Sequence, residues 1–182
     1  MKARDALFLL FLLQPAILPA EEANFTLLGI EDGDTLIISI DNQSEKIQLL
    51  GIDAPEDVDN AKLKHDVQRT GAEAGELLVL GNQATQFLKT LLPVNTAVKM
   101  DNVLQPRDRY GRIPADVRLA DGQSIRDLML SEGYAIVLRR PPLDDALKGQ
   151  LMPLEQNAIE QKRGLWGSQP QLMRAWSGLE TR

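Results

Sequence analysis

The spacing of hydrophobic and polar positions changes along the chain, from the alternation typical of strands to the longer period of helices. Runs rich in aliphatic and β-branched residues occupy 25–30, 35–40 and 46–52, with glycine, aspartate and asparagine between them. Short runs bounded by such turn residues predict an antiparallel meander of three strands. The polar stretch over 57–69 carries many charges and predicts a loop or a poorly packed turn of helix.

After residue 71 the apolar residues recur at helical spacing, and Pro93 ends this run. That spacing predicts a helix with one face in the core. The other predicted elements are strands over 96–103 and 113–119, a short helix over 124–132, a short strand or extended segment over 134–138 and a last helix over 143–163. Five strands and about three helices predict an α+β domain built on a five-stranded Greek-key β-barrel.

Residues 1–20 have a different pattern from the rest of the chain. Lys2 and Arg4 precede an unbroken apolar run over 6–13, and Ala20 stands directly before two glutamates. A basic start, a short apolar stretch and a small residue at its end are typical of a secretory signal peptide. A membrane anchor would need about 20 apolar residues. We therefore expect cleavage after residue 20, no membrane attachment afterwards, and export to the periplasm or the medium of a bacterium.

The remaining sequence predicts one domain over 21–170 and a short C-terminal tail over 171–182, without an internal repeat or linker. The chain has no cysteine, which excludes disulfides, thiolate metal sites and cysteine nucleophiles. His65 is the only histidine, which argues against Ser-His hydrolase chemistry and against multi-histidine zinc sites. Carboxylates, arginines and a hard cation remain as the means of catalysis.

The charge of the chain limits how it can hold a nucleic acid. Its formal net charge is −6, and removal of residues 1–20, which contain two basic residues and one acidic residue, makes the charge −7. Tight nucleic-acid binding normally uses a basic surface that displaces counterions. Any nucleic-acid substrate must therefore be held locally, by the site and its metal.

Three clusters of charged residues carry the candidate chemistry. They are Asp32-Gly33-Asp34-Thr35 between the first two strands, Asp53-Ala54-Pro55-Glu56 after the third strand, and Asp108-Arg109-Tyr110-Gly111-Arg112 before the fifth strand. Each has an ordinary interpretation on its own. The first would be a hairpin turn, the second a solvated acidic turn, and the third a charged tight turn.

Taken together, the clusters resemble the staphylococcal nuclease (thermonuclease) family. Their order, the helix between the second and third clusters, and the ending Gly164-Leu165-Trp166 carry this resemblance, which covers about residues 25–166. It implies an OB-fold for the barrel. It also implies Ca²⁺-dependent cleavage of DNA or RNA. We infer no obligate protein partner.

The resemblance assigns the metal ligands to Asp34 and Asp53. The backbone carbonyl of Ala54 and water molecules complete the shell, and Asp32 matches a nearby acidic position. Calcium prefers several oxygen ligands in a flexible shell, which carboxylates, carbonyls and water supply. The donor types therefore agree with the implied metal.

The resemblance also assigns catalytic roles. Glu56 matches a glutamate that orients or deprotonates the attacking water, and Arg112 matches one of two arginines that hold the scissile phosphate. A guanidinium binds phosphate oxygens in a bidentate manner and stabilises the charge that builds on them. Arg109 and Tyr110 flank Arg112 and are candidates for positioning substrate, with packing an equal role for Tyr110.

The sequence departs from the family at Gln48, where the family has its other phosphate-binding arginine. Loss of one such donor typically costs about 10²–10³ in rate. Lys46 shares a strand face with Gln48 and is a candidate substitute, although a solvated lysine is the simpler interpretation. Gln48 and Asp53 can face one site only if the strand bends between them, and Gly51 is the candidate position for that bend.

The leading interpretation is an exported, calcium-dependent endonuclease with activity reduced by Gln48. The alternative is a binding module that keeps the carboxylate pocket without useful catalysis, and another metal-dependent phosphodiesterase chemistry is the third. Three carboxylates at one barrel mouth repel each other unless a cation joins them, which favours an enzyme over a purely structural domain. The acidic net charge and the absence of the family's stacking tyrosines after Gly133 argue the other way.

Overall fold

The structure, a computed structural model, describes residues 25–101, 106–139 and 143–179, so the predicted signal peptide lies outside the described residues. The strands are β1 (Phe25–Ile30), β2 (Thr35–Ile40), β3 (Gln43–Leu49), β4 (Ile52–Asp53), β5 (Ala97–Asp101), β6 (Ile113–Arg118) and β7 (Ile136–Val137). The helices are α1 (Ala61–Thr70), α2 (Ala74–Leu91), α3 (Ile125–Ser131), α4 (Asp145–Glu160), α5 (Gly164–Ser168) and α6 (Pro170–Ser177). No helix within these ranges is long and apolar enough to cross a membrane.

Five of the strands close into a barrel in the order β1-β2-β3-β6-β5. The pairs β1–β2, β2–β3, β5–β6 and β1–β5 are antiparallel, whereas β3 and β6 are parallel. Alternate residues such as Leu36 and Ile38 of β2, and Ile47 and Leu49 of β3, are fully buried in the interior. The prediction of an α+β fold with a five-stranded OB-type barrel is confirmed.

The strand predicted over 46–52 is divided into β3 and β4. Gly51 lies between them at a φ of 87°, in the left-handed region that glycine adopts without a steric penalty. After this turn, β4 leaves the barrel and pairs with β7, with Asp53 opposite Ile136. Asp53 is therefore free of the side-chain alternation of β3, as the bend expected at Gly51 requires.

The number of helices is higher than the about three predicted, partly because 57–69, predicted as a loop or a poorly packed turn of helix, contains most of a full helix. Most of this stretch forms α1, whose first turn is capped by the Asn60 side chain accepting a hydrogen bond from the Leu63 backbone N–H at 2.9 Å. Gly71 ends the helix at a φ of 71°. Only Leu63 and Asp66 of α1 are buried, so the apolar pattern that identifies a helix from sequence is almost missing.

The residues assigned to a C-terminal tail also include a helix. Met173 and Trp176 of α6 are buried in a second hydrophobic cluster beside the barrel core. This cluster also contains Leu63 of α1 and Trp166 of α5, so Trp166 is a core residue. Helix α6 thereby joins α1 and α5 into one packed unit.

Helix α2 packs directly against the two acidic segments, at Gly33 and at the backbone of Glu56. A Cβ atom on Gly81 would lie 2.1 Å from the backbone oxygen of Glu56. A Cβ atom on Gly33 would lie 2.8 Å from the Cβ of Ala54 and 2.9 Å from the Cβ of Ala84. The absence of side chains at both glycines is therefore what allows the acidic segments to approach the helix.

This close approach predicts that two glycine-to-alanine substitutions in α2 change the free energy of unfolding differently. Gly81→Ala should lower the free energy of unfolding by about 1–3 kcal/mol, because the added methyl group overlaps the backbone at Glu56. Gly75→Ala is the matched control: nothing lies within 4 Å of its Cβ position, and it should be neutral or stabilise by up to about 1 kcal/mol. Urea denaturation measures both, and equal stability of the two variants would contradict the packing described.

Candidate active site

The turn between β1 and β2 and the segment after β4 meet through Asp34. Its Oδ2 accepts a hydrogen bond from the Ala54 backbone N–H at 2.9 Å, and the side chain is almost fully buried. The Oδ1 of Asp32 accepts from the backbone N–H of Asp34 at 3.0 Å, which fixes the turn. The structure therefore brings Asp32, Asp34, Ala54 and the adjoining Asp53 to one end of the barrel.

The guanidinium of Arg112 lies on the same side, held by two partners. Its Nε donates to Asp108 Oδ2 at 2.8 Å, and its Nη1 donates to Thr35 Oγ1 at 3.0 Å. Arg112 Nη1 is also 3.8 Å from Asp34 Oδ1, which accepts a hydrogen bond from the Thr35 hydroxyl at 3.1 Å. Thr35 thus links a predicted metal ligand to a predicted phosphate ligand, a role that the sequence analysis missed.

Gln48 reaches the same hydroxyl from β3. It is the register partner of Thr35 across β2 and β3, and its Oε1 lies 3.5 Å from Thr35 Oγ1. Lys46, the candidate substitute for the missing arginine, is engaged elsewhere. Its Nζ is 2.6 Å from Glu31 Oε2 in an exposed ion pair, with 54% of the lysine side chain accessible. No ion pair joins Lys46 to a site carboxylate among the described contacts.

Tyr110 is not a core residue, since 61% of it is exposed. The guanidinium carbons of Arg109 and Arg112 lie 4.7 and 5.3 Å from the centre of its ring, within the range of cation–π attraction. Asp108 holds the turn in place, accepting hydrogen bonds from the backbone N–H groups of Tyr110 and Arg112. The exposed Tyr110 ring and Arg109 therefore lie beside the half-buried guanidinium of Arg112.

Lys62 of α1 is a site residue that the sequence analysis did not identify. Its Nζ lies 2.9 Å from Asp53 Oδ1, 2.9 Å from the backbone oxygen of Ala54 and 2.6 Å from Glu56 Oε1. The other carboxylate oxygen of Glu56 accepts a hydrogen bond from the Asn60 side-chain amide. Lys62 belongs to the stretch predicted as a loop or a poorly packed turn of helix, and the helical register of α1 brings its ammonium to the carboxylates.

The electrostatics reflect this crowding. Burial, together with the charge of Asp34, raises the pKa of Asp32 to about 7. Burial also raises the pKa of Asp53 to about 6, although the neighbouring Lys62 ammonium lowers it. For Lys62, burial lowers the pKa, but the carboxylates of Asp53, Asp34 and Glu56 outweigh burial and raise it above the ordinary lysine value. The site therefore contains more negative charge than its own cations neutralise.

The residues fit a cation that is held by few protein atoms and by water. Within the described ranges no group of three or more acidic, histidine or cysteine side chains is arranged to hold a metal ion. Two carboxylates and one backbone carbonyl are nevertheless available at Asp34, Asp53 and Ala54, and calcium accepts water as its remaining ligands. The Lys62 ammonium already demonstrates that oxygens of Asp53 and Ala54 converge on one positive charge.

Comparison with known proteins identifies similar sequences. The model of the staphylococcal nuclease homologue family matches residues 46–168. A thermonuclease from Staphylococcus intermedius is 31% identical over 135 residues, which are 74% of this chain and 71% of that protein. An uncharacterized endonuclease from Escherichia coli is 32% identical over 136 residues, with the same two shares. An uncharacterized protein from Bacillus anthracis is 30% identical over 139 residues, but the match spans only 58% of its length.

Proposed function

Because the chain belongs to the staphylococcal nuclease family, we propose that it is a calcium-dependent nuclease that hydrolyses phosphodiester bonds of DNA or RNA. One observation carries the proposal: carboxylates, a backbone carbonyl and a guanidinium meet at one end of the barrel. Of the assigned residues, Asp34, Glu56 and Arg112 come from three separate segments of the sequence. Their proximity is a property of the fold and not of the sequence order.

In this proposal Asp34, Asp53 and the carbonyl of Ala54 hold the cation. The hydrogen bond from the Ala54 N–H to Asp34 Oδ2 engages one oxygen of Asp34 and orients the carboxylate. A bound calcium ion would supply positive charge beside the scissile phosphate. Close packing of α2 at Gly33 and Gly81 keeps the two segments that carry these ligands together.

In this proposal Glu56 acts on the attacking water and Arg112 acts on the phosphate. The Glu56 carboxylate is the group that orients the attacking water or takes its proton. Arg112 binds the phosphate, and its Nε and Nη1 contacts to Asp108 and Thr35 fix the plane of the guanidinium before substrate arrives. A pre-oriented guanidinium stabilises the developing charge without reorganisation.

Arg109 and Tyr110 extend the proposed phosphate site outward. The Tyr110 ring is exposed beside Arg112, where a nucleotide base could stack on it. One base–aromatic stack contributes roughly 1–3 kcal/mol to single-strand binding. Because the whole chain is acidic, this local set of contacts is the proposed means of holding the substrate.

Two observations favour a second function, a domain that binds a cation or ligand without catalysis. Gln48 is neutral where the family pattern has an arginine, and its amide contacts only the Thr35 hydroxyl among the hydrogen bonds of the described residues. Both oxygens of Glu56 are also engaged by Lys62 and Asn60. The substitutions below distinguish the two functions.

We also propose export, on the basis of the basic, apolar and small residues in 1–20. Expression of the whole chain in a Gram-negative bacterium should yield a protein that begins at Glu21 and is released with the periplasmic fraction. N-terminal sequencing after fractionation checks this. A cytoplasmic protein that still begins at Met1 would refute the export proposal without affecting the nuclease proposal.

Substitution of Glu56 or Arg112 should remove most of the activity. On single-stranded DNA and RNA with Ca²⁺, Glu56→Gln and Arg112→Ala should each lower the rate by about 10²–10³, because each removes one transition-state interaction. Cutting should stop when a chelator replaces Ca²⁺. Glu160→Gln, at an exposed position of α4, is the matched control and should leave the rate unchanged. Cleavage that survives Glu56→Gln would contradict the assigned site.

Restoration of an arginine at position 48 should raise activity. Gln48→Arg places a second guanidinium beside Thr35, on the side of the site where Arg112 would bind the phosphate. We expect a rate increase of about tenfold or more. The same cleavage assay at saturating Ca²⁺ measures the change, with Gln43→Arg at the exposed start of β3 as the control for added charge. If the unaltered protein and Gln48→Arg are both inert, the binding function replaces the nuclease.

A further inference from the structure

Lys62 contacts the oxygens that the proposed cation would use. Asp53 Oδ1 and the carbonyl oxygen of Ala54 are each 2.9 Å from its Nζ, and both belong to proposed cation ligands. Glu56 Oε1, on the proposed catalytic carboxylate, is 2.6 Å away. The ammonium therefore occupies the point at which these oxygens converge.

Two other lysines, Lys64 and Lys46, pair with exposed carboxylates outside the proposed cation site. Lys64, on the same helix, is 70% exposed and 3.5 Å from the equally exposed Asp59. Lys46 pairs with Glu31 at the surface. The side chain of Lys62 is 35% exposed and lies among three carboxylates that carry function in our proposal. Exposed ion pairs contribute little to stability, whereas a pair removed from water interacts more strongly.

The position of Lys62 is fixed by both ends of α1. At the N-terminus, the Asn60 side chain caps the helix and also donates to Glu56. At the other end, Asp66 Oδ2 accepts a hydrogen bond from Trp176 Nε1 at 2.9 Å, and Arg69 donates to the backbone oxygen of Trp176 at 2.7 Å. The helix that carries Lys62 is thus bound to the acidic segment on one side and to α6 on the other.

Helix α6 also contacts Lys62 directly. The Nζ of Lys62 lies 5.9 Å from the centre of the Trp176 ring, at the limit of a cation–π contact. The match to the family model ends at residue 168, and α6 begins at Pro170. The support for Lys62 therefore comes partly from a segment that the family match does not cover.

We propose that Lys62 is an internal counter-cation that competes with the divalent ion and sets the ion concentration at which the site loads. The proposal rests on the proposed function, because it takes Asp53 and Ala54 as ligands of that ion. The ammonium and the ion need the same oxygens and carry charge of the same sign, so they cannot occupy the site together. A flexible four-carbon side chain allows Lys62 to leave without unfolding α1.

Departure of Lys62 has a second consequence, at Glu56. With Lys62 in place, both carboxylate oxygens of Glu56 accept hydrogen bonds, from Lys62 and from Asn60. When Lys62 leaves, one oxygen of Glu56 becomes available for a water molecule. Binding of the ion displaces Lys62 and thereby frees Glu56, the proposed general base. Until the ion binds, Lys62 keeps Glu56 engaged and the site inactive.

The test is the calcium affinity of the purified protein, measured by isothermal titration calorimetry without substrate. A lysine that occupied the site for roughly nine-tenths of the time would weaken the apparent affinity by about tenfold. Lys62→Met keeps most of the length of the side chain and removes the charge, and should bind Ca²⁺ about tenfold more tightly. Lys64→Met, on the same helix but outside the site, should leave the affinity unchanged.

Thermal unfolding gives a second readout. Without calcium, Lys62→Met should unfold at a lower temperature than the unaltered protein, because Asp53 and Glu56 lose their cation. Calcium should then raise its unfolding temperature by more than it raises that of the unaltered protein. If Lys62→Met does not fold without calcium, Lys62→Gln decides the question, since it retains a hydrogen-bond donor without the charge and should show the same direction of change.

The outcomes separate this inference from the proposed function. If the calcium affinity of Lys62→Met and Lys62→Gln is equal to or weaker than that of the unaltered protein, while Asp53→Asn abolishes binding, the competition is refuted and the calcium site stands. If neither the unaltered protein nor any Lys62 variant binds Ca²⁺, the calcium-dependent function and the competition both fail. Binding that appears only after substitution of Lys62 would be the strongest support.

Discussion

The hydrogen bond from the Ala54 backbone N–H to Asp34 Oδ2 is the contact on which the site depends. It joins the β1–β2 turn to the segment after β4, which lie twenty residues apart in the sequence. A buried hydrogen bond to a charged acceptor stabilises by about 1.5–3 kcal/mol. The Ala54 carbonyl belongs to the next peptide unit and accepts a hydrogen bond from the Lys62 ammonium. One peptide unit therefore connects the two acidic segments, and the next offers a cation ligand.

That hydrogen bond can form only because α2 allows the two segments to come close. Gly33 packs without a side chain against Ala54 and Ala84, and Gly81 brings α2 against the backbone of Glu56. Protein interiors are packed too densely to absorb an added methyl group at such contacts without movement. The position of the Glu56 carboxylate is therefore set by the packing of a helix that contributes no charged group to the site.

The strands, the family and the acidic clusters could be predicted because they depend on local patterns. The runs of β-prone residues gave β1, β2 and most of β3, and Gly51 marked the bend that redirects Asp53. Helices α1 and α6 could not be predicted, because their stability comes from contacts between distant segments. The hydrogen bond between Asp66 and Trp176 joins positions 110 residues apart, and the local sequence of neither helix indicates it. Lys62 was missed for the same reason, since its role depends on the position of α1.

The charge balance of the site connects its two departures from expectation, Gln48 and Lys62. Gln48 brings no positive charge to the side where Arg112 and Thr35 lie. Lys62 adds one on the other side, against Asp53 and Glu56. In our proposal Lys62 therefore places its charge against the ion ligands and the general base, and not beside the phosphate. A positive charge in that place stabilises the carboxylates before the ion binds, and it must leave before the proposed reaction can proceed.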